Sequence, residues 1–556
     1  MRKIFIAVAI FLFAVGGIVV PSNFSHNLAY DKAFESNFED KTGTNTEIEG
    51  QLKTYEEFLI DFGVSKDNIT EQDLSGAGTQ KDPYVIWSTK GFLFFMNESL
   101  SEIPDSKCQY VELGNDIILN DETFDENGKP TSGDGTYYNL GIGGRTVTNF
   151  DGKGFTIKGL YMDNGTTEDT GLFEWMTYLK NTTVENVYIN GVKDAVVFAR
   201  NIPNGIYNCK VTNGTLCASE MVCTFAFYVS KGNVENCVAN VNLYSNQEAL
   251  GICRGTNKII NCINYGDINV QSPSIIGNQC SGITAEVAVI ENCINYGDIY
   301  APNNQNASGI VSAALANRIY TYKNCKNYGN ITGKAYQGGI SGMTRGIVTM
   351  IGCENYGEVT PTSGNMSGAM IGCLFGKADL QMIDCVSKTK NTELAVIGND
   401  HGDDIRNVFI KNCKFFFENK CFSDGLIYVR CGGETNLQIQ DTEVYVNLEK
   451  KTSLVGSFVK NGKQNVNLKN VIVRGNGNFN KDWEVFWNKE NAVLKVDGLI
   501  FDLENGKYFF GSDFSDFYVS LKTGKIGLKT RDGNGFLQAK VSKDVLERKG
   551  FEKKTI

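Results

Sequence analysis

The sequence predicts an all-β chain folded as a right-handed parallel β-helix, a solenoid with small N- and C-terminal caps, and three observations carry that reading. The string NCINYGDI stands at 261–268 and again at 292–299. Cys209, Cys237, Cys262, Cys293, Cys325, Cys353, Cys385 and Cys413 follow one another at intervals of 25–32 residues. The composition holds 60 Gly, 34 Phe and 24 Tyr against 8 Pro, as short strands joined by tight turns require.

The chain opens MRKIFIAVAIFLFAVGGIVVPSNFS, with Arg2 and Lys3 ahead of an apolar run from Ile4 to Val20. This reads as a signal peptide over 1–22, or as an uncleaved N-terminal anchor if Val20-Pro21-Ser22 is not cut. Either way the remainder is expected to be secreted or held on the extracellular cell surface. Residues 23–75 form a polar spacer with one short helix in TYEEFLIDF at 54–62. GAGTQKDPYVI at 76–86 opens the solenoid, expected over 76–510. A partly apolar stretch, GFLFFMNESL, follows, and after it alternating segments are separated by Gly, Asp and Asn turns.

Aligned on the eight cysteines, the repeat is readable position by position. Three residues earlier stand Ile206, Val234, Ile259, Ile290, Tyr322, Met350, Met382 and Ile410. One residue earlier is Asn208, Asn236, Asn261, Asn292, Asn324 or Asn412, with Gly352 and Asp384 as exceptions. A second apolar segment follows a small-residue pair, as in SGI at 281–283 and 308–310. The rhythm continues without cysteine through NLQIQDTEVYVNL, NVNLKNVIVRG and AVLKVDGLIFDL, and residues 511–556 read as a terminal strand and charged cap. At about 30 residues per coil this gives roughly twelve to fifteen coils. No single coil can bury its own inward side chains, so coils stack and equivalent residues lie above one another.

At these residues the chain resembles bacterial surface proteins that carry GLUG-type repeats on a pectin-lyase-like β-helix. The resemblance rests on GAGTQKDPYVI, GNDIILN at 114–120, FDGKGFTIKGL at 150–160, TGLF at 170–173 and the repeated NC-x-N-Y-G-x-I, over roughly 75–390. TGLFEWM lacks the second glycine of the family string. The resemblance implies secretion, surface display, and adhesion or carbohydrate contact.

The chemistry is bounded from several sides. Only His26 and His401 are present, which removes multi-histidine zinc sites and most His-dependent nucleophiles. A net charge of −10 spread along the chain argues against nucleic acid as a partner. The aligned cysteines occupy one phase of the repeat and are expected as a mostly reduced internal column, with stacked disulfides as the alternative. The asparagines before them suit a left-handed bend repeated in each coil. GNDHGDDIRN at 398–407 gathers Asp400, His401, Asp403, Asp404 and Arg406 within one loop; glycosidase carboxylates need a separation of about 6.5–9.5 Å across a substrate for inversion, so this reads as a solvated turn.

Tyr265, Tyr296, Tyr328 and Tyr356, each in N-Y-G on consecutive coils, are the candidate ligand-binding residues. If they face outward they offer a line of apolar faces with hydroxyl edges, suited to sugar rings or to a protein. The bend at N-Y-G leaves their direction open. No catalytic residue, metal or cofactor is expected. The function that follows is non-catalytic contact with a glycan or with a host or cell-surface protein, and the alternative is a polysaccharide lyase or glycoside hydrolase of the pectin-lyase-like fold. A membrane enters only through an uncleaved N-terminal segment.

Overall fold

The computed structural model describes residues 50–503 except 142–143, 164–168, 272–278, 304–305, 317, 364–365, 390–393, 399–405, 420–424, 428–433, 449–452, 457–463, 478–483 and 488–491, together with strand segments at 506–510, 517–518, 528–529 and 536–537. The proposed leader, most of the spacer and most of the C-terminal cap lie outside these residues. The fold described belongs to the unit Ile48–Ile556.

Alternation of apolar and polar residues makes strands here, and a turn roughly every ten residues folds the strands into coils. One face of the solenoid is built from strands such as Cys253–Ile260, Thr284–Glu291, Ile319–Lys323 and Ile347–Ile351. The next face follows the Asn-Cys turn, as in Ile263–Asn264 with Ile268–Val270, and Ile294–Asn295 with Ile299–Ala301. The third face is a six-stranded parallel sheet that includes Asp194–Val196, Met221–Cys223, Glu248–Leu250 and Gln279–Ser281. Register is kept between coils, with Ile259 beside Ile290, Ile263 beside Ile294 and Ile268 beside Ile299. The result is a parallel β-solenoid of about 12 turns.

Each position of NCINYGDI belongs to a column. Asn208, Asn236, Asn261, Asn292 and Asn324 all have φ between 51° and 56°, the left-handed region that Asn tolerates better than most residues. Their amides form a chain, each Nδ2 donating to the Oδ1 of the Asn one coil earlier at 2.9–3.1 Å. Gly352 (φ 61°) and Asp384 (φ 56°) fill the same bend where Asn is missing. The following cysteine points inward. All eight aligned cysteines are buried with free thiols, and Cys262 donates to the carbonyls of Ile260 (3.3 Å) and of Val234 in the previous coil (3.7 Å). At the ends of the array threonine takes over this role, with Thr182 and Thr442 each donating to the carbonyl two residues back at 2.8 Å. The position therefore asks for a small side chain with one donor, not for sulfur chemistry.

A second asparagine column, unforeseen in the sequence, lies inside the core. Asn264, Asn295, Asn327 and Asn355, the Asn of each N-Y-G, are at most 1% exposed. Asn264 donates to Asn295 (2.8 Å), Asn295 to Asn327 (2.9 Å) and Asn327 to Asn355 (2.8 Å), and each also donates to the carbonyl of the glycine two residues on. A buried amide is tolerated only when its polar atoms find partners, and a neighbour of its own kind in the next coil supplies one. The glycine of SGI lies against this column. A Cβ on Gly282 would sit 2.2 Å from Asn295 Cγ, and one on Gly309 would sit 2.2 Å from Asn327 Cγ. SGI and N-Y-G are thus two sides of one narrow cross-section.

The first coil is closed by helices. Thr54 caps the helix Tyr55–Asp61 through a capping box with Glu57, and Phe58 stacks on Tyr138 at 4.3 Å. GFLFFM falls within a second helix, Thr89–Met96, capped by Ser88; its Phe92, Leu93 and Phe95 are fully buried. Arg145 is buried beneath it, its guanidinium 4.8 Å from the Phe95 ring and donating to the Ile103 carbonyl. At the other end the parallel strand Ala492–Leu503 is followed by Gly506–Phe510, which turns back antiparallel on it.

Two outcomes are expected. A Cβ on Gly297 would meet the Gly266 carbonyl oxygen at 1.9 Å, whereas one on Gly255 meets nothing within 4 Å. Gly297→Ala should therefore lower unfolding stability by about 1–3 kcal/mol while Gly255→Ala leaves it unchanged in a urea titration; equal effects would refute the close packing. Burial pushes the Cys217 and Cys253 thiols from 9.0 up to about 12. The folded state then holds more protons than the unfolded chain above pH 9, so stability should be full below that pH and fall as pH rises toward 12. Cys253→Ala should make the fall shallower in equilibrium unfolding at a series of alkaline pH values.

Candidate functional site: a stacked aromatic column

Side-chain parity settles the direction of the tyrosines. Cys262, Asn264, Gly266 and Ile268 are buried, while Tyr265 and Asp267 are exposed and Ile263 is half-buried, so alternation runs straight through N-Y-G. The left-handed bend is at Asn261, before the strand, and no residue from 262 to 268 has positive φ. Tyr265, Tyr296, Tyr328 and Tyr356 lie on adjacent coils, and the first three are 47%, 42% and 39% exposed.

The rings stack on one another. Centroids are 5.0 Å apart along the column, with interplanar angles of 4°, 8° and 7°. This corrects one expectation from the sequence. The ring faces are turned toward the neighbouring coils and are covered by the next ring, so the column offers solvent its edges and hydroxyls in place of a line of open faces. Tyr356, the least exposed of the four, donates its hydroxyl to Glu354 at 2.5 Å.

The row also extends beyond the N-Y-G motif. Strand pairing sets Asn355 beside Ser387, and hence Tyr356 beside Lys388. Lys388 pairs with Phe416, Phe416 with Tyr445, and Tyr445 with Arg474. Phe416 and Tyr445 are stacked at 4.5 Å, and the Lys388 ammonium sits 5.6 Å from the Phe416 ring, a cation–π contact. Tyr265 through Arg474 therefore form one row across eight coils. The signal was present in the sequence as the third residue after each aligned cysteine from Cys262 to Cys413, and after Thr442 and Val471 in the two coils that lack one.

A parallel row flanks the tyrosines two residues on: Asp267, Asp298, Asn330 and Glu358. Asp267 accepts from the backbone N–H of Asp298 (2.8 Å), Asp298 from that of Asn330 (2.7 Å), and Asn330 from that of Glu358 (3.0 Å). Partial burial holds the Asp267 carboxyl above its ordinary value, and the Asp298 charge acts in the same direction. Tyr300, 50% exposed, adds a further aromatic beside the row.

Elsewhere, polar groups gather at the corner between the third face and the one that follows it. Asp194 pairs with Arg200 at 2.6 Å, and Glu248 with Arg254 at 2.9 Å. The two carboxylates share one register position, with Met221 in the coil between them. Burial lifts the Glu248 carboxyl above its ordinary range, against the pull of Arg254. Of the 398–407 cluster, Asp400, His401, Asp403 and Asp404 lie outside the described residues, and Arg406 is fully buried at the start of a strand. Among the described residues no group of three or more His, Cys, Asp or Glu is arranged to hold a metal ion.

Burial and the Glu354 hydrogen bond push the Tyr356 hydroxyl up to about 12. Glu354→Gln should bring that ionisation to lower pH, read as an earlier onset of phenolate absorbance than in the parent protein; an unchanged titration would deny the contact. No protein-family model, curated protein or solved structure matches the chain.

Proposed function

We propose that the chain is a secreted or cell-surface β-helical repeat protein that works by non-catalytic contact, holding a glycan or a protein against the aromatic column. The observation that carries this reading is the outward stack of four tyrosines on consecutive coils. A tyrosine needed only to seal the core would be buried, whereas Tyr265, Tyr296 and Tyr328 keep 39–47% of their surface open. Such rigid amphipathic side chains lose little entropy on binding. The basic and apolar start of the chain, Arg2 to Val20, supports export. The likeness to GLUG-repeat surface proteins on a pectin-lyase-like β-helix agrees with both points.

One observation favours a second reading, a lyase or hydrolase of polysaccharides. Asp194 and Glu248 stand two coils apart in register, about 10 Å by strand spacing, and Glu248 has a raised pKa. Against it, each carboxylate is held by its own arginine, which opposes a general acid or base role.

A single experiment separates the two. The full-length protein is incubated with plant, microbial and mucin polysaccharides while retained protein and released sugar ends are measured together. Retention without release, weakened about tenfold by Tyr296→Ala combined with Tyr328→Ala in a protein that stays folded, is expected. New reducing or unsaturated ends that vanish in Glu248→Gln would overturn the binding reading in favour of the enzyme.

A further inference from the structure

Building on the proposed contact function, we infer that the first four coils of the aromatic row bind a linear amino-sugar polysaccharide lying along the solenoid, one sugar to a coil. Three features of the strip point to this ligand. The first is what the stack leaves open. With their faces covered at 5.0 Å spacing, the tyrosines contribute hydroxyls and ring edges, groups that contact sugar hydroxyls and not a flat apolar surface.

The second feature is charge. Asp267, Asp298 and Glu358 place a carboxylate beside the tyrosine in three of the four coils, with Asn330 in the other. The coil-to-coil hydrogen bonds occupy Oδ1 of Asp267 and of Asp298, and no Lys or Arg among the described residues forms an ion pair with Asp267, Asp298 or Glu358. The one lysine on these four segments of the face, Lys326, is held by Glu354 at 3.2 Å. The strip is therefore negative and repels polyuronates, whereas a polymer with one ammonium group per ring neutralises it in step.

The third feature is the period. Coils advance by about 4.8 Å, a distance on the scale of one ring in an extended polysaccharide, so hydroxyls and carboxylates recur in step with the sugars. Each exposed ion pair contributes little alone, and affinity then comes from repetition along the strand.

The test is binding of the full-length protein to glucosamine oligomers from dimer to hexamer, alongside their N-acetylated forms, neutral glucose oligomers of the same linkage, polygalacturonate and polylysine. The expected result is a gain of about tenfold between dimer and tetramer that levels off beyond the tetramer and fades with salt. Asp267→Asn combined with Asp298→Asn should abolish most of that gain. Asn330 already accepts the same coil-to-coil hydrogen bond with its amide oxygen, so these variants keep the fold, as circular dichroism would verify. Equal binding of N-acetylated or neutral oligomers would overturn the amino-sugar assignment and leave the contact function standing. Polylysine binding as tightly as the hexamer would reduce the strip to a general cation surface and overturn it as well. Binding of the oligomers that is unaffected by Tyr296→Ala with Tyr328→Ala would sink both readings together.

Discussion

Everything in this solenoid follows from parallel hydrogen bonding between one coil and the next in fixed register. That pairing sets each residue above its own counterpart at about 4.8 Å, so a residue type can occupy a column only if it tolerates itself as a neighbour. Asn meets the condition because its amide both donates and accepts, and the outer chain from Asn208 to Asn324 uses both ends. Tyr meets it by stacking, and Cys by donating to nearby carbonyls. Aspartate cannot donate, and the Asp267–Asp298 row resolves this by accepting backbone N–H groups from the following coil. Where Asp384 enters the outer column, Asn412 donates to it at 2.6 Å.

The inner asparagines show how tightly this constraint couples distant parts of one coil. An amide in the core needs partners within the core, and Asn295 finds them in Asn327 and the Gly297 carbonyl. Its side chain leaves no room on the opposite wall, and Gly282 stands there. Gly339 stands against Asn355 in the same way, but the next coil offers Ser387 in place of an asparagine, and Asn355 donates instead to the Ala369 carbonyl of that coil at 2.7 Å. Two motifs far apart in the coil are therefore one packing unit.

Much of this was legible from spacing. The period of the cysteines gave the solenoid, and their burial as free thiols follows from a single phase of the repeat. The left-handed bend was readable because few residues other than Asn and Gly adopt it cheaply. The direction of the tyrosines was harder because it requires accepting an asparagine inside the core, and hydropathy assigns Asn outward. Counted from Cys262, strict alternation would have placed Asn264 in and Tyr265 out. The helix Thr89–Met96 was hidden for another reason: its segment is apolar nearly all round, as a cap laid across the open end of a core must be. Ring orientation within the stack lies beyond sequence altogether, since it depends on side-chain torsions fixed by the neighbouring coil.

The two copies of NCINYGDI also bear on how such a chain can change. Because each N-Y-G coil carries one member of every one of these columns, duplicating such a coil of about 30 residues lengthens the thiol, amide, aromatic and outer polar columns together and creates no new kind of contact. A point substitution, by contrast, places an unlike residue between two neighbours that were matched to each other. Whole-coil gain or loss is thus the gentler change for this architecture, and the length of its outer face is a quantity that inheritance can adjust in steps of one coil.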